Sequence, residues 1–245
     1  MQKESKLLRN TQVAWNEHWA DTLFLAYHNI EDIMNTGTDQ YTVTKKNFYD
    51  HLTLLNRYCT LVNPASMNRI YTGSKPLVCI TFDDGKKNNI THALPLLEKF
   101  GSSAIFFVTP DFMDTKDSMT KNDIRILAQS GMCIGSHSLT HPDFGTISRD
   151  QAHHELQVSK EILDGITGAP TTLFSYPFGN KWNIRDHDIA ILIECGYSAA
   201  FVLGIHNNTS HINPSRIPRF LVADIRGNTL IRHVDELTKH HEHSW

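Results

Sequence analysis

The chain reads as an α/β protein, a distorted or partly open (β/α) barrel of about seven parallel strands. Three observations predict this. Short apolar runs of strand length alternate with amphipathic segments of helical length, the pattern of successive βαβ units. Several of the helical segments carry their own start and stop residues, a hydroxyl at the front and a glycine behind. The residues best suited to chemistry follow directly on strands, where parallel folds gather their functional side chains.

Residues 1–20 are expected to be a lead-in, with Trp15 and Trp19 on one face at i, i+4 spacing, and residues 21–245 a single domain. Residues 23–27 (LFLAY) form a strand ended by His28 and Asn29, and residues 31–41 a polar loop. Residues 44–58 form a helix: Phe48, Leu52, Leu55 and Tyr58 share a face and Thr44 caps it. Residues 63–75 show no period. Residues 77–82 (LVCITF) are a buried strand running into Asp83, Asp84 and the turn residue Gly85. A helix over 90–100 starts or kinks near Pro95, and a strand follows at 104–108 (AIFFV). A helix capped by Thr120 spans 120–130, and a strand spans 132–136. The capping box Ser148/Gln151 opens a helix over 148–166. A strand over 173–176, a helix over 184–195, strands over 198–203 and 219–222, and a helix over 229–240 complete the order.

Of the 245 residues, 40% are hydrophobic and 20% charged, ample for a large core. A net charge of -3 gives no basic field for nucleic acid. Cys59, Cys79, Cys133 and Cys195 form no CxxC pair, so no disulfide framework or cysteine zinc site is implied, and Cys79 and Cys133 read as buried thiols. No strand is followed by a phosphate-binding glycine loop. No apolar run is long enough for a membrane span. The opening MQKESKLLRN has no apolar segment behind its charges, so the chain as it stands is expected in the cytoplasm, or outside it if a leader has been removed. The histidine-rich tail (His240, His241, His243) reads as a polar end rather than a metal site. Oligomeric state is not specified.

Asp83 and Asp84 are adjacent carboxylates and repel, so holding both ionised needs a cation or a shared proton. The plain alternative is an acidic turn. His137 and His141, in GSHSLTHP, are spaced to place both rings on one side, and Pro142 makes their segment a turn. Their plain alternative is two surface histidines. Taken together, one carboxylate and two imidazoles make a metal triad with open positions, and the second carboxylate can act as general base on a water. The chemistry implied is metal-assisted hydrolysis of a carbonyl compound.

TFDDG at 81–85, HSLTHP at 137–142 and FSYPFG at 174–179 resemble the motifs of the polysaccharide deacetylase family, the NodB-homology fold of carbohydrate esterase family four. The resemblance implies that Asp83 is the catalytic base. It makes Asp84, His137 and His141 the ligands of a divalent ion, Zn2+ in the main, with Co2+, Ni2+ or Mn2+ as alternatives. The backbone N–H of Phe178 would be the oxyanion donor, and Tyr176 and Pro177 would shape the groove. Two departures stand out. Ser175 and Tyr176 stand where many members carry an arginine, and no late Leu-x-His segment is found, since His206 and His211 lie in a polar loop and His233 in the last helix.

LAYHNI at 25–30 resembles the early Tyr-His segment of the poly-N-acetylglucosamine deacetylases with permuted motif order, and YTVTKKNFYDHLTLL at 41–55 their following helix. On that match His28 is the general acid; otherwise it merely caps a strand end. IPRFLV at 217–222 resembles their terminal strand, which puts Arg219, in preference to Arg216, beside the base; otherwise it makes a surface ion pair. Tyr27, Tyr176, Phe178 and Trp182 could stack on sugar rings, with ordinary packing as the alternative. The implied activity is removal of acetyl groups from an N-acetylated amino sugar or polysaccharide. An O-acetyl carbohydrate esterase and a non-catalytic carbohydrate-binding protein are the rivals.

Overall fold

The computed structural model describes residues 19, 21–33, 40–66, 71, 73–204 and 213–238. Trp15, His206, His211 and the tail histidines lie outside the described residues. The elements run β1 (Thr22–Tyr27), β2 (Asn29–Glu31), β3 (Thr42–Thr44), α1 (Lys45–Tyr58), β4 (Thr60–Leu61), β5 (Leu77–Phe82), α2 (Leu94–Lys99), β6 (Ala104–Val108) and α3 (Lys121–Gln129). They continue with β7 (Cys133–Ser136), α4 (Arg149–Thr167), β8 (Leu173–Ser175), α5 (Asp186–Glu194), β9 (Ala199–Leu203), β10 (Ile217–Leu221) and α6 (Gly227–Thr238).

Seven parallel strands close on themselves in the order β1, β5, β6, β7, β8, β9, β10, because β1 pairs with both β5 and β10. The expected barrel is therefore closed. Its thinnest seam is between β7 and β8, joined by the single pair Ser136↔Phe174. The short β4 runs beside the start of β5 (Thr60↔Leu77), and β6 takes over that edge from Ile80. β2 and β3 form a separate two-stranded sheet, so the polar segment expected as loop contributes strand at Glu31. Buried Ile30 and Val43 account for it, each an isolated apolar residue too short a signal to show a period.

The barrel strands are buried on both faces, as parallel strands under helices must be, and therefore read as unbroken apolar runs. Alternate residues divide two cores. Phe24, Cys79, Ile105, Phe107 and Phe201 fill the barrel interior, joined by Trp19. Leu23, Leu25, Tyr27, Ile80 and Phe82 face α1 and its neighbours. The caps read from the sequence form: Thr44 accepts the Asn47 N–H, and Thr120/Asp123 and Ser148/Gln151 make reciprocal boxes. The helix expected over 90–100 opens as a π-turn, Asn89–Ala93, and continues as α2 from Leu94, with Pro95, which has no N–H to donate, directly after the π-turn. All four cysteines are free; Cys79 is buried and Cys133 half-buried. No helix among the described residues is long and apolar enough to cross a membrane.

His51 is buried under the barrel wall. Its Nε2–H donates to the Ile225 carbonyl at 2.7 Å, and its Nδ1 accepts from the Tyr27 hydroxyl at 3.2 Å. Burial lowers its pKa from the ordinary 6.5, and the Ile225 carbonyl and Asp224 only partly oppose the shift. The folded protein thus favours the neutral ring. The unfolded chain takes up the proton sooner, so this contribution is full above about 6.5 and is lost as the pH falls towards the folded value. Thermal melts of the parent should show a decline below pH 6.5 that is shallower in His51→Gln; identical pH dependence would remove His51 from the account.

Candidate active site

The carboxyl ends of the strands supply the site. His28 follows β1, Asp83 and Asp84 follow β5, His137 and His141 follow β7, and Tyr176 and Phe178 follow β8. These seven residues line one cavity of about 170 Å3, completed by Asn29, Tyr41, Lys86 and Leu203. Pro177 is buried without lining it, and Arg219 sits behind Asp83. Tyr27 belongs to the outer core, against Phe48 and Phe82. Trp182 is exposed and does not line the cavity; the Lys181 ammonium lies over its ring at 4.0 Å.

Barrel register brings the distant residues together. Tyr27 pairs with Phe82, so the next residues along, His28 and Asp83, emerge side by side despite their separation in sequence. The Asp83 N–H donates to the Tyr27 carbonyl at 3.0 Å and locks the two strand ends. His28 Nε2 then lies 3.9 Å from Asp83 Oδ2. The His28 ring packs on Tyr41 with centroids 4.7 Å apart, and its carbonyl accepts from Asn89 Nδ2 at 2.7 Å. Its buried Nδ1 has no hydrogen-bond partner among the described residues. Burial lowers the His28 pKa, with Asp83 and Asp84 opposing, so the resting ring is neutral at neutral pH.

Asp83 is held by a two-pronged fork. Arg219 Nη1 donates to Oδ1 and Nη2 to Oδ2, both at 2.7 Å. The guanidinium also donates to Thr81 Oγ1 at 3.1 Å and Ser175 Oγ at 2.7 Å, and lies 5.2 Å from the centre of the Phe107 ring. Burial alone would raise the Asp83 carboxyl. The Arg219 guanidinium outweighs it, helped by His137 and His28, and holds the group well below the usual carboxylate range.

Asp84 faces the other way. Its Oδ1 lies 3.6 Å from both His137 Nε2 and His141 Nε2. His137 Nδ1 donates to the Ser175 carbonyl at 2.7 Å, which leaves the Nε2 lone pair directed at the cluster. Burial pushes the His137 ring down to about 4, so it is neutral at neutral pH, the form a metal ligand needs. The His141 ring sits edge-on to Phe178, centroids 4.9 Å apart.

The local backbone is strained where these groups are set. Asp84, Ser138, His141 and Phe178 all have φ between 62° and 71°, four of the five non-glycine residues with positive φ among those described. Each costs roughly 1–2 kcal/mol, concentrated in the loops that carry the site. Gly179, at φ 64°, continues the third loop; a Cβ there would sit 2.6 Å from the Leu203 nitrogen.

Two neighbours of the site lie outside the motifs. Lys86 Nζ lies 3.4 Å from Asp84 Oδ2, the carboxylate oxygen turned away from the histidines. Glu155 accepts from the Leu139 and Thr140 N–H groups and from Thr140 Oγ1. Its signal was an acid within the buried stripe of α4, with Ala152, Leu156, Leu163 and Ile166.

Residues 71–200, more than half of the chain, match the family model described as polysaccharide deacetylase. The chain belongs to the polysaccharide deacetylase family. It is 32% identical over 173 residues to YxkH of Bacillus subtilis (strain 168), covering 68% of this chain and 60% of YxkH. It is 34% identical over 101 residues to the peptidoglycan-N-acetylmuramic acid deacetylase PdaA of the same organism, covering 41% of this chain and 37% of PdaA. The chain thus spans less than two thirds of either relative. The Streptococcus pyogenes deacetylase PplD, solved in complex with acetate, shares the fold at a TM-score of 0.74 with 21% identity, over 87% of this chain and 97% of PplD. IcaB from Ammonifex degensii does so at 0.71 with 20% identity, over 89% of this chain and 97% of IcaB.

The donor set of the chain fits a divalent cation. Ligand atoms of Asp84, His137 and His141 all lie within 4.8 Å of one another. The two 3.6 Å separations approach the edge of about 3.4 Å that tetrahedral Zn2+ requires at its usual bond lengths. One carboxylate and two imidazoles leave positions open for water and substrate, the form of catalytic rather than structural sites.

Proposed function

We propose that the chain is a metal-dependent hydrolase removing acetyl groups from an N-acetylated amino sugar or polysaccharide. The observation that carries this is the division of two adjacent carboxylates: Asp83 forked by Arg219, Asp84 turned to two imidazoles. A cation held by Asp84, His137 and His141, with Zn2+ the leading candidate and Co2+, Ni2+ or Mn2+ the others, supplies Lewis-acid polarisation of the acyl carbonyl and a more acidic water.

The remaining roles fall to side chains and backbone. Asp83, kept ionised by Arg219, accepts the proton of the attacking water. The Phe178 N–H donates to the oxygen of the tetrahedral intermediate, and Tyr176 bounds the pocket beside it. His28 delivers a proton to the departing nitrogen. Its ring is neutral at rest, so the proton must reach it during the cycle, and Asp83 Oδ2 at 3.9 Å is a carboxylate that has just taken one up. The place of His28 directly after the first barrel strand supports the likeness to the permuted poly-N-acetylglucosamine deacetylases. The name of PdaA keeps an N-acetylmuramic substrate among the candidates.

Acetate release from β-1,4 and β-1,6 N-acetylglucosamine oligomers and from acetylated xylan tests the reading. The parent should act on the amide substrates, and His28→Ala should lose about 10²-fold of that rate. Alkoxide leaves without much help, so ester hydrolysis should suffer less. Acetate from the ester alone, unchanged in His28→Ala, would assign an O-acetyl esterase instead. Glycan binding with no release from any substrate would assign a binding protein.

A further inference from the structure

We propose that Glu155 is a positioning residue for the His137–His141 ligand pair, an inference resting on the metal reading above. Glu155 lies on α4 and is 7% exposed. Its Oε2 accepts the N–H groups of Leu139 and Thr140, both at 2.8 Å, and its Oε1 accepts the Thr140 hydroxyl at 2.7 Å. These partners are two of the three residues between the histidines, Leu139 at the middle and Thr140 next to His141. The charge is answered by backbone and hydroxyl donors, not by a cationic side chain, among the described residues. Donors to an ionised acceptor are the stronger kind, and three of them fix the loop in rotation as well as in place.

The same helix holds the loop at a second point. Ser159, one turn beyond Glu155, has its Oγ 2.7 Å from Ser136 Oγ, which accepts the Ser138 N–H at 3.2 Å. Ser138 Oγ in turn accepts the His141 N–H at 3.0 Å. Ser138 and His141 both sit in the left-handed region, at φ 66° and 63°, where residues with side chains rarely settle unaided. Without the Glu155 clasp the loop between them can relax, and the two Nε2 atoms lose their common focus. Burial strips the carboxylate of hydration, and the three loop donors take the place of the lost water. The acid stands where it does because the loop presents two N–H groups and a hydroxyl there.

The test is Zn2+ affinity of the full chain, measured by competition with a chromophoric chelator, beside a thermal melt. Glu155→Ala should bind Zn2+ at least tenfold more weakly, within the 10–100-fold range for partners that orient metal ligands. Glu155→Gln, whose carbonyl oxygen can still accept both N–H groups, should recover to within about threefold of the parent. Leu163→Ala, on the buried face of the same helix, should lower the melting temperature and leave Zn2+ affinity unchanged. If Glu155→Ala does not fold, Glu155→Asp withdraws the carboxylate by one methylene and should show the tenfold loss. Parent-like affinity in Glu155→Ala, or in Glu155→Asp where that is the variant measured, overturns the inference. Failure of the metal reading is distinct: the parent itself would then take up no Zn2+.

Discussion

Asp83→Asn should cut acetate release by about 10²–10⁴-fold, the range for removal of a positioned general base, while the chain still takes up a divalent ion. The two outcomes separate because the neighbouring carboxylates do different work. Asp84 Oδ1 faces both imidazoles, and Asp83 is engaged by Arg219 on both oxygens. The asparagine amide would set an N–H₂ against one prong of the guanidinium, so some loss of stability is expected, and rates should be read well below the melting temperature. Undiminished turnover in a folded, metal-loaded Asp83→Asn protein would remove Asp83 as the base.

Arg219→Met should destabilise the fold by about 3–5 kcal/mol, the cost of leaving a buried charge without its partner. At this chain length that is a fall on the order of 10 °C in melting temperature. Asp83 is 2% exposed and Arg219 fully buried, so water from the cavity replaces the lost bonds only in part. The guanidinium also packs on Phe107 and Phe201, and methionine replaces that contact only in part. Pairing Arg219→Met with Asp83→Leu should recover part of the stability and none of the activity, because the stranded charge is gone but so is the base. A double variant no more stable than Arg219→Met would show that the cost lies in packing and not in charge.

The barrel was legible because its strands are buried on both faces and show as apolar runs such as LVCITF and AIFFV. The two-residue β4 and the β2–β3 pair are too short to carry a period, and only pairing reveals them. The metal-ligand candidates could be found by spacing. His28 and Arg219 could be found by resemblance, and their placement became intelligible only with register. Phe24 pairs with Arg219 on β10, so the arginine side chain points into the barrel with the interior phenylalanines, whereas Arg216 precedes the strand. Ser175 looked like a departure from the family pattern. In the fold it is a junction, its hydroxyl accepting from Arg219 and its carbonyl from His137. The room a longer side chain would need there is taken by the arginine of another strand. Lys86 was illegible for a plainer reason, since it acts around a turn that no pattern of spacing encodes, and Glu155 showed only as an acid within the buried stripe of α4, with nothing to name its partners.

The central claim, that Asp84, His137 and His141 hold the ion on which acetyl removal depends, is tested most directly by acetate release from an N-acetylglucosamine oligomer through a chelation and reconstitution cycle. Release should fall to background when the chain is stripped of metal and return with one equivalent of Zn2+ per chain. An undiminished rate from the stripped chain would contradict the account.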